Sequence, residues 1–358
     1  MSIDFHKLRV AEVKRETPDA VSVRLELPDE LRQTFKFRAG QHLTFRHTID
    51  GEELRRNYSL CVAPSEGVLK IGVKQIAGGV FSGWVNTELK AGDELEVMAP
   101  HGSFCWNFDA EARNEYAAFA GGSGITPILS LMKTALSLEP HSRFTLFYGN
   151  RTSVGIMFLE EIAALKDRYL DRLQVFHFLE DEEEEIELFN GRLDRAKTEE
   201  ILATLIDPKT VDAFFICGPG PMMDAIEEAL IARGVEKPRI LIERFTTGPL
   251  SAAQAAAARA LEEKAAGLKM SVTLNGRRVQ VAFDPEKHSI LDNVRAAGLA
   301  APFACKGGVC ATCRAKVTAG EVQMKVNYGL SAEELAEGYV LTCQATPVSE
   351  GVALTYDV

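Results

Sequence analysis

The sequence lacks any long apolar run. Its 358 residues contain no stretch as long as the roughly eighteen apolar residues that a membrane-spanning helix needs. The opening segment, MSIDFHKLRVAEVKRE, alternates charged with apolar residues and lacks the continuous apolar region of a secretion signal. We therefore expect a protein without membrane spans that works in the cytoplasm.

An excess of positive charge is also missing. Lys and Arg number 40 against 51 Asp and Glu, which gives a formal net charge of −11. Nonspecific binding to nucleic acid or anionic lipid requires clustered basic residues, so both partners are disfavoured and any phosphate site has to be local. The seven histidines are scattered, and the absence of H-E-x-x-H, Ser–His–Asp and paired-carboxylate motifs disfavours hydrolysis.

The pattern of hydrophobicity changes twice along the chain. Residues 1–108 contain short alternating segments separated by turn signals such as RAGQ and AGD, which predicts an antiparallel β-barrel or a sandwich. Residues 109–245 alternate apolar strands with helical segments, the pattern of an α/β domain with a parallel sheet. Residues 269–358 begin with a hairpin around Asn275-Gly276 and continue with a helix, which predicts a third, small domain.

Two segments fit none of these domains. Residues 246–268 carry a Gly-Pro break and an alanine-rich run, which we interpret as a partly helical linker. The acidic run LEDEEEEIEL at 179–188, with its core at 181–185, could steer a basic partner. Charge runs of this kind usually only solvate a loop, and we expect a solvated loop here.

Four of the seven cysteines follow the spacing C-x4-C-x2-C plus a distant fourth cysteine. They are Cys305, Cys310, Cys313 and Cys343. Zinc knuckles generally consist of two C-x2-C pairs, whereas this spacing is that of plant-type [2Fe-2S] clusters. Gly307 and Gly308 would allow the backbone between the ligands to curl tightly. The sequence therefore predicts an iron–sulfur cluster with these four metal ligands.

The first domain offers groups that suit a flavin nucleotide. In RRNYSLCVAP, Arg56 could pair with a phosphate, Tyr58 could stack on a flat ring, and Ser59 could bond to a ring nitrogen. Further on, Gly79 and Ser82 could donate to a pyrophosphate. The alternative for Tyr58 and Ser59 is an ordinary role in the core and edge of the barrel.

The second domain opens with AGGSGITP, which follows an apolar strand and precedes a helix. Gly121, Gly122 and Gly124 would let a dinucleotide pyrophosphate approach the helix N-terminus, although a tight structural turn could use the same glycines. After the next strand, Arg151 and Ser153 stand where an acidic residue would mark NAD, which favours the 2′-phosphate of NADPH. An exposed loop arginine is the alternative.

The motif CGP at 217–219 ends a further apolar strand and leaves open backbone at the carboxyl edge of the sheet, where ligands bind. Taken alone, Cys217 would be a buried core thiol. The segment ERF follows at 243–245, at the end of the second domain.

Together these motifs resemble the ferredoxin-NADP⁺ reductase superfamily, in the version that carries a C-terminal plant-type ferredoxin domain. The resemblance implies a β-grasp fold for that domain and spans nearly the whole chain. It implies FAD held by Arg56, Tyr58, Ser59, Lys74, Gly79 and Ser82, and NADPH held by Gly122, Gly124, Thr126, Arg151 and Cys217. It also implies catalytic positions beside the flavin and nicotinamide for Ser59, Cys217, Glu243 and Phe245.

The same resemblance implies an electron-transfer reductase that moves electrons from NADPH through FAD and [2Fe-2S] to an external acceptor. More narrowly, the motifs are similar to the reductases of phenylacetyl-CoA epoxidase systems, which implies a di-iron oxygenase as partner. A reductase of a Rieske-type aromatic or steroid ring hydroxylase stays open as the alternative. A redox sensor is a rival from another class, and the flavin and nucleotide motifs argue against it.

Overall fold

The computed structural model describes residues 4–245 and 252–357. The chain forms two compact units, Met1–Arg244 and Phe245–Val358. Among the described residues, no helix combines the length and the hydrophobicity that crossing a bilayer would require.

The first unit begins with an antiparallel β-barrel. Its strands are β1 Phe5–Thr17, β2 Ala20–Leu25, β3 His42–Ile49, β4 Glu52–Ser59, β5 Leu69–Lys74 and β6 Glu94–Met98, with helix α1 Val80–Thr87 between the last two. They pair in the order β4-β3-β6-β1-β2-β5. A bridge between Leu60 and Ile71 connects the two ends of this order. The predicted barrel is therefore confirmed.

Side chains alternate along the barrel strands as a half-buried sheet requires. In β6, Leu95 and Val97 point into the barrel core, while Glu94 and Glu96 lie on the outer side. Because a shift by one residue would exchange the two faces, this alternation fixes the pairing of β6 with its neighbours.

A parallel α/β sheet completes the first unit. Its elements are β7 Glu115–Gly121, α2 Ile125–Leu138, β8 Arg143–Asn150, α3 Leu159–Arg168, β9 Leu173–Leu179, α4 Arg195–Thr204, β10 Ala213–Cys217, α5 Gly220–Ala232 and β11 Ile240–Glu243. The strand order is β11-β10-β7-β8-β9, and all pairs are parallel. Helices cover both faces, so β7 and β10 read as continuous apolar runs.

The barrel and the parallel sheet share one apolar core. Cys61 and Phe104 of the barrel domain belong to the same buried cluster as Leu129 of α2. Beside this cluster, the buried Ser130 hydroxyl donates to the Val62 carbonyl at 2.6 Å. The two domains predicted for residues 1–245 are thus packed into one unit, which ends at Arg244.

The second unit is a small α+β domain. Its elements are α6 Ala252–Lys264, β12 Lys269–Leu274, β13 Arg277–Ala282, α7 Ile290–Ala296, β14 Arg314–Ala319, β15 Val322–Met324, α8 Ala332–Ala336, β16 Tyr339–Leu341, β17 Ala345–Pro347 and β18 Val352–Thr355. The main sheet has the order β13-β12-β18-β14-β16, with β12 and β18 parallel. Asn275 and Gly276 form the predicted hairpin turn, both with positive φ.

Helix α6 lies in the segment that the sequence indicates as a linker. The first part of that segment, 246–251, is outside the described residues. The last turn of α6 is anchored in the second unit, where buried Glu262 accepts from His288 at 2.9 Å and Ala265 joins the core. Part of the alanine-rich run therefore stabilises the small domain as well as leading into it.

Candidate functional site: two cofactor regions

The four predicted cluster cysteines come together at one end of the small domain. Cys310, Cys313 and Cys343 are buried, and Cys305 is partly exposed. Cys305, Cys310 and Cys313 lie in the loop before β14, while Cys343 follows β16, the neighbour of β14 in the sheet. The fold therefore brings the distant fourth cysteine to the other three.

The four sulfurs form two pairs, Cys305 with Cys310 and Cys313 with Cys343. Within each pair one thiol donates to the other sulfur, which lowers the pKa of Cys310 and Cys343 and raises that of Cys305 and Cys313. No three His, Cys, Asp or Glu side chains of the described residues surround one point as ligands of a single ion would. Two thiols for each of two irons is the arrangement that a [2Fe-2S] cluster takes, so the residues fit that group.

The cysteine loop curls through left-handed backbone. Lys306, Gly308 and Ala311 have positive φ, whereas Gly307 does not, so the expectation of two permissive glycines is correct for Gly308 alone. The curled backbone directs N–H groups at sulfur: Gly307 donates to Cys305 Sγ at 3.3 Å. A Cβ on Gly308 would lie 2.9 Å from Cγ of Gln344.

The nucleotide loop lies between β7 and α2 and touches the loop after β10. A Cβ on Gly124 would lie only 2.0 Å from the carbonyl oxygen of Cys217, and one on Gly121 would lie 2.6 Å from Cδ of Pro219. These two glycines therefore let the two predicted nucleotide motifs pack against each other. Gly122 differs, because its φ is +52° and open space lies above it, as a site for a pyrophosphate requires.

Thr126 and Cys217 are both buried in this region. The Thr126 hydroxyl donates to the Ser123 carbonyl at 3.0 Å, which helps to close the loop. Burial raises the pKa of the Cys217 thiol, with a further contribution from the charge of Glu243, so the group stays protonated. Contacts of either side chain with a nicotinamide ring stay predictions.

Arg151 follows β8 and is exposed, but it forms an ion pair with Asp181. Its guanidinium Nη2 lies 2.9 Å from Asp181 Oδ2. Glu182 Oε1 accepts from the backbone N–H of Ser153 at 2.9 Å and from its hydroxyl at 3.2 Å. Asp181 and Glu182 thus lie in a loop, as the composition of the acidic run predicts, but they also bind Arg151 and Ser153.

The predicted flavin residues lie on β4, on β5 and at the start of α1. Tyr58 packs beside Phe45 and Phe81, with ring centroids 6.0 and 5.9 Å away, and burial raises the pKa of its hydroxyl. Arg56 is exposed on the same strand. Lys74 ends β5, and its Nζ lies 3.5 Å from Asp19 Oδ2.

The loop before α1 is tied together by Ser82. Its hydroxyl accepts from the Ile76 N–H at 3.1 Å and donates to the Gly79 carbonyl at 3.3 Å. Gly78, with φ +72°, completes the turn. An open cleft of about 340 Å³ borders this loop. Ser82 therefore shapes the predicted phosphate loop through bonds within the loop itself.

Ser59 marks the centre of the flavin region. It is buried, yet its Oγ has no hydrogen-bond partner among the described residues, which is costly unless a bound group supplies one. His42 is the residue opposite Ser59 in the β3–β4 pairing, and its Nδ1 is likewise buried and, within the same described part of the chain, without a hydrogen bond. A flavin ring presents the acceptors and donors that two such groups need, so the residues fit FAD.

Glu243 reaches the same region from the parallel sheet. It pairs with Cys217 in the β10–β11 register, and its Oε1 lies 3.7 Å from His42 Nδ1, beyond hydrogen-bonding distance. His42 Nε2 contacts His101 Nε2 at 3.0 Å. Burial lowers the pKa of His42, and the charge of His101 lowers it further, so His42 is uncharged at neutral pH.

Sequence reasoning missed the pair of His42 and His101. Neither histidine belongs to a local motif, and 59 positions separate them. Alternation in AGQHLTF places Leu43 and Phe45 on the core face of β3 and His42 on the opposite face, so it carried no signal that His42 is buried. Phe245, the last described residue before the gap, is 37 % exposed, and its place beside the flavin stays a prediction.

The fold and the two regions define a flavin- and nicotinamide-dependent oxidoreductase with an iron–sulfur domain, and family models agree. Residues 7–106 match an oxidoreductase FAD-binding domain, residues 119–228 an oxidoreductase NAD-binding domain, and residues 272–348 a 2Fe-2S iron–sulfur cluster binding domain. The chain belongs to the ferredoxin-NADP⁺ reductase superfamily, in the branch with a C-terminal plant-type ferredoxin domain. Its cofactors are FAD, a [2Fe-2S] cluster and NAD(P)H.

Relatives with the same domain order are similar along their whole length. One component of 1,2-phenylacetyl-CoA epoxidase from Escherichia coli (strain K12) is 44 % identical over 353 residues, covering 99 % of this chain and 98 % of that protein. The ferredoxin reductase component of 3-ketosteroid-9-alpha-monooxygenase from Rhodococcus rhodochrous is 33 % identical, covering 98 % and 96 %. Phthalate dioxygenase reductase, at 22 % identity, has the same fold, with a TM-score of 0.59 and 98 % coverage of both chains.

Proposed function

We propose that this chain is the reductase component of a multicomponent oxygenase, and that its acceptor is a di-iron oxygenase acting on phenylacetyl-CoA. The observation that carries the proposal is the 44 % identity, over 99 % of the chain, to a component of an epoxidase whose name gives that substrate. In this proposal, electrons pass from NADPH to the flavin, from the flavin to the cluster, and from the cluster to the oxygenase.

Each part of the chain has a defined task in this path. A bound FAD would supply the chemistry that links a two-electron nicotinamide donor to a one-electron cluster. Ser59 and His42 supply buried polar groups to the flavin site, and Gly122 keeps open space for a pyrophosphate. Glu243 and Cys217 close the inner end of the nucleotide region next to His42.

The geometry also supports exclusion of water from the place of hydride transfer. Ser59, His42, His101 and Cys217 are all at most 4 % exposed. A dry site prevents loss of electrons to side reactions while the reacting rings are held together. We also place this reaction in the cytoplasm, because the four ligand cysteines have to stay reduced until they bind iron.

The test is a reconstituted assay with the purified holoprotein, NADPH, a candidate di-iron oxygenase and phenylacetyl-CoA. The chain is reduced anaerobically, oxygen is added, and oxygenated CoA product is measured. Product that depends on the chain supports the whole proposal. Reduced flavin and cluster without product would eliminate the named partner and leave the electron path. Absence of any NADPH-dependent dye reduction would instead favour a redox sensor.

A second candidate is the reductase of a steroid or aromatic ring hydroxylase with a Rieske centre. It is favoured by the 33 % identity to the reductase component of 3-ketosteroid-9-alpha-monooxygenase. The same NADPH-reduced chain is offered to an oxygenase of each type under identical conditions. Faster electron transfer to the Rieske oxygenase would select this second candidate over the first.

A further inference from the structure

Asp181 and Glu182, which lie shortly after β9, are held against Arg151 and Ser153, the two groups that suit a 2′-phosphate. The backbone sets this arrangement: Glu180 N–H donates to the Asn150 carbonyl at 3.0 Å, and Asp181 N–H donates to the Arg151 carbonyl at 2.8 Å. These bonds continue the β8–β9 pairing past the ends of both strands. The carboxyl group of Asp181 is therefore delivered to Arg151 by the sheet itself.

Both carboxylates bind as an anionic ligand would. Asp181 Oδ2 accepts from Arg151 at Nη2 and at Nε, at 2.9 and 3.1 Å. Glu182 Oε1 accepts from the Ser153 backbone and hydroxyl. Guanidinium, backbone N–H and hydroxyl are the donors that recognise phosphate oxygens. Two carboxylates of the chain thus occupy the donors that the sequence assigns to the coenzyme's phosphate.

The far end of this acidic segment is closed as well. Glu184 N–H donates to Asn190 Oδ1 at 2.7 Å, and the Asn190 side chain donates back to the Glu184 carbonyl at 3.0 Å. The Gly191 N–H donates to the Leu179 carbonyl at 2.7 Å. Both ends of the segment 181–185 are therefore hydrogen-bonded, which holds Asp181 at Arg151.

We propose that Asp181 and Glu182 are selectivity residues for the nicotinamide coenzyme, which compete with the 2′-phosphate of NADPH for Arg151 and Ser153. The inference rests on the proposed function, since it needs a nicotinamide coenzyme as electron donor. The 2′-phosphate of NADPH has to displace both carboxylates from Arg151 and Ser153, and their negative charges repel it. NADH carries a 2′-hydroxyl instead, so it meets neither obstacle. The chain therefore uses the two coenzymes with similar efficiency, within about tenfold.

The exposure of the ion pair sets the size of the effect. The side chains of Arg151 and Asp181 are 80 % and 41 % exposed. An ion pair of this kind is worth at most about a fivefold change in an equilibrium constant, because water and salt screen it. A phosphate can displace it, so the acids act as a graded penalty on NADPH and not as a block.

The experiment measures binding of two adenosine phosphates to the holoprotein by calorimetry. Adenosine 2′-monophosphate reports the 2′-phosphate contacts, and adenosine 5′-monophosphate is the reference that lacks them. The double variant Asp181→Asn with Glu182→Gln keeps the shape of both side chains and removes both charges. We expect it to bind the 2′-phosphate about tenfold more tightly, with less than a twofold change for the 5′-phosphate.

Glu185→Gln is the matched control, because it removes one charge from the same segment and Glu185 makes no described hydrogen bond to Arg151 or Ser153. The proposal is overturned if the affinity for adenosine 2′-monophosphate rises no more in the double variant than in this control. Weaker binding of that nucleotide by the double variant would also overturn it. Steady-state rates provide a second measurement, with the NADPH to NADH ratio of kcat/KM rising about tenfold. Failure of the proposed function would give a different result from failure of this proposal. In that case neither the parent nor any variant would pass electrons to an oxygenase, whatever their binding of the 2′-phosphate.

Discussion

The cluster loop and the flavin–nucleotide region are built on different principles. In the cluster loop, side-chain sulfur supplies the ligands, and three of the four lie within residues 305–313. In the flavin–nucleotide region, His42 of β3 and Ser59 of β4 lie opposite each other, and a glycine loop that follows β7 packs on Cys217. This region lies where the barrel packs on the parallel sheet. The first kind of site can be recognised from the spacing of residues close together in the sequence. The second kind forms only when strands that are distant in the sequence pack together.

The sharpest way to separate the two regions is Cys343→Ser. Loss of one of two sulfurs on one iron abolishes the cluster, because a hydroxyl is a poor ligand in place of a thiolate. Reduction of the flavin by NADPH continues, since the flavin residues lie in the other unit. Visible absorption and electron paramagnetic resonance of the reduced protein check the cluster.

Cys105→Ser is the matched control for this prediction, because Cys105 lies in the first unit. It should retain both the cluster and the flavin. A full cluster spectrum in the Cys343 variant would show that the ligand assignment is wrong.

A methyl group at Gly124 tests whether the nucleotide region depends on backbone contact. In Gly124→Ala the new Cβ would lie 2.0 Å from the Cys217 carbonyl oxygen, so the two loops have to separate. We expect destabilisation of about 3 kcal/mol and at least tenfold weaker binding of NADP⁺. Urea unfolding and fluorescence titration measure the two effects.

Gly220→Ala serves as the control, since a Cβ there meets nothing within 4 Å at the start of α5. Its stability should be unchanged or higher by a few tenths of a kcal/mol to about 1 kcal/mol. Equal losses in both variants would mean that the close packing of Gly124 has no special role.

Ser59→Ala removes a buried hydroxyl that has no partner among the described residues of the protein itself. The apoprotein should be as stable as the parent or more stable by about 1 kcal/mol, because an unsatisfied polar group is lost. Flavin should bind about tenfold more weakly for lack of its hydrogen bond. Thermal unfolding with and without FAD measures both quantities.

Thr44→Val provides the contrast, because the buried Thr44 hydroxyl donates to Asn57 at 2.8 Å. That variant should lose stability with or without flavin. If Ser59→Ala also destabilised the apoprotein, its hydroxyl would have a structural role instead.

The smallest effect concerns acid stability. Burial lowers the pKa of His42 and of His177, so both are neutral when folded and take up protons on unfolding below about pH 6.5. The free energy of unfolding therefore falls as the pH drops through this window, by up to about 1.4 kcal/mol per pH unit for each proton. His42→Gln should reduce this slope, measured by urea unfolding at pH 7 and 5.5.

The same measurement on His141→Gln, an exposed histidine, should leave the slope unchanged. Glu243 and His101 are the titratable groups that face His42. A slope in His42→Gln equal to that of the parent would show that these neighbours and His177 account for the acid sensitivity.

The sequence permitted prediction of the three fold types and of the cluster ligands, since the cysteine spacing and the change from strand alternation to helical periodicity are local patterns. It also located Gly124, although the structure shows Gly124 packed on Cys217 instead of open to a ligand. Contacts between residues 93 positions apart, as in that pair, leave no trace in either local segment.

The contacts of the acidic run could not be predicted from local sequence either. Its composition is that of a solvated loop, and only the β8–β9 register places Asp181 next to Arg151. Likewise, the pairing of β3 with β4 sets His42 opposite Ser59, and no motif contains both. The register between strands, which no local motif states, decides what these residues touch.

The shared core of the barrel and the parallel sheet has a consequence for modular engineering. Residues such as Cys61, Phe104 and Leu129 are solvated if either half is produced alone, so neither half is an independent part. The exchangeable module is the whole of Met1–Arg244. A chimaera that joins this module to another reductase's ferredoxin domain preserves the native core, whereas one cut near residue 108 exposes it and invites aggregation.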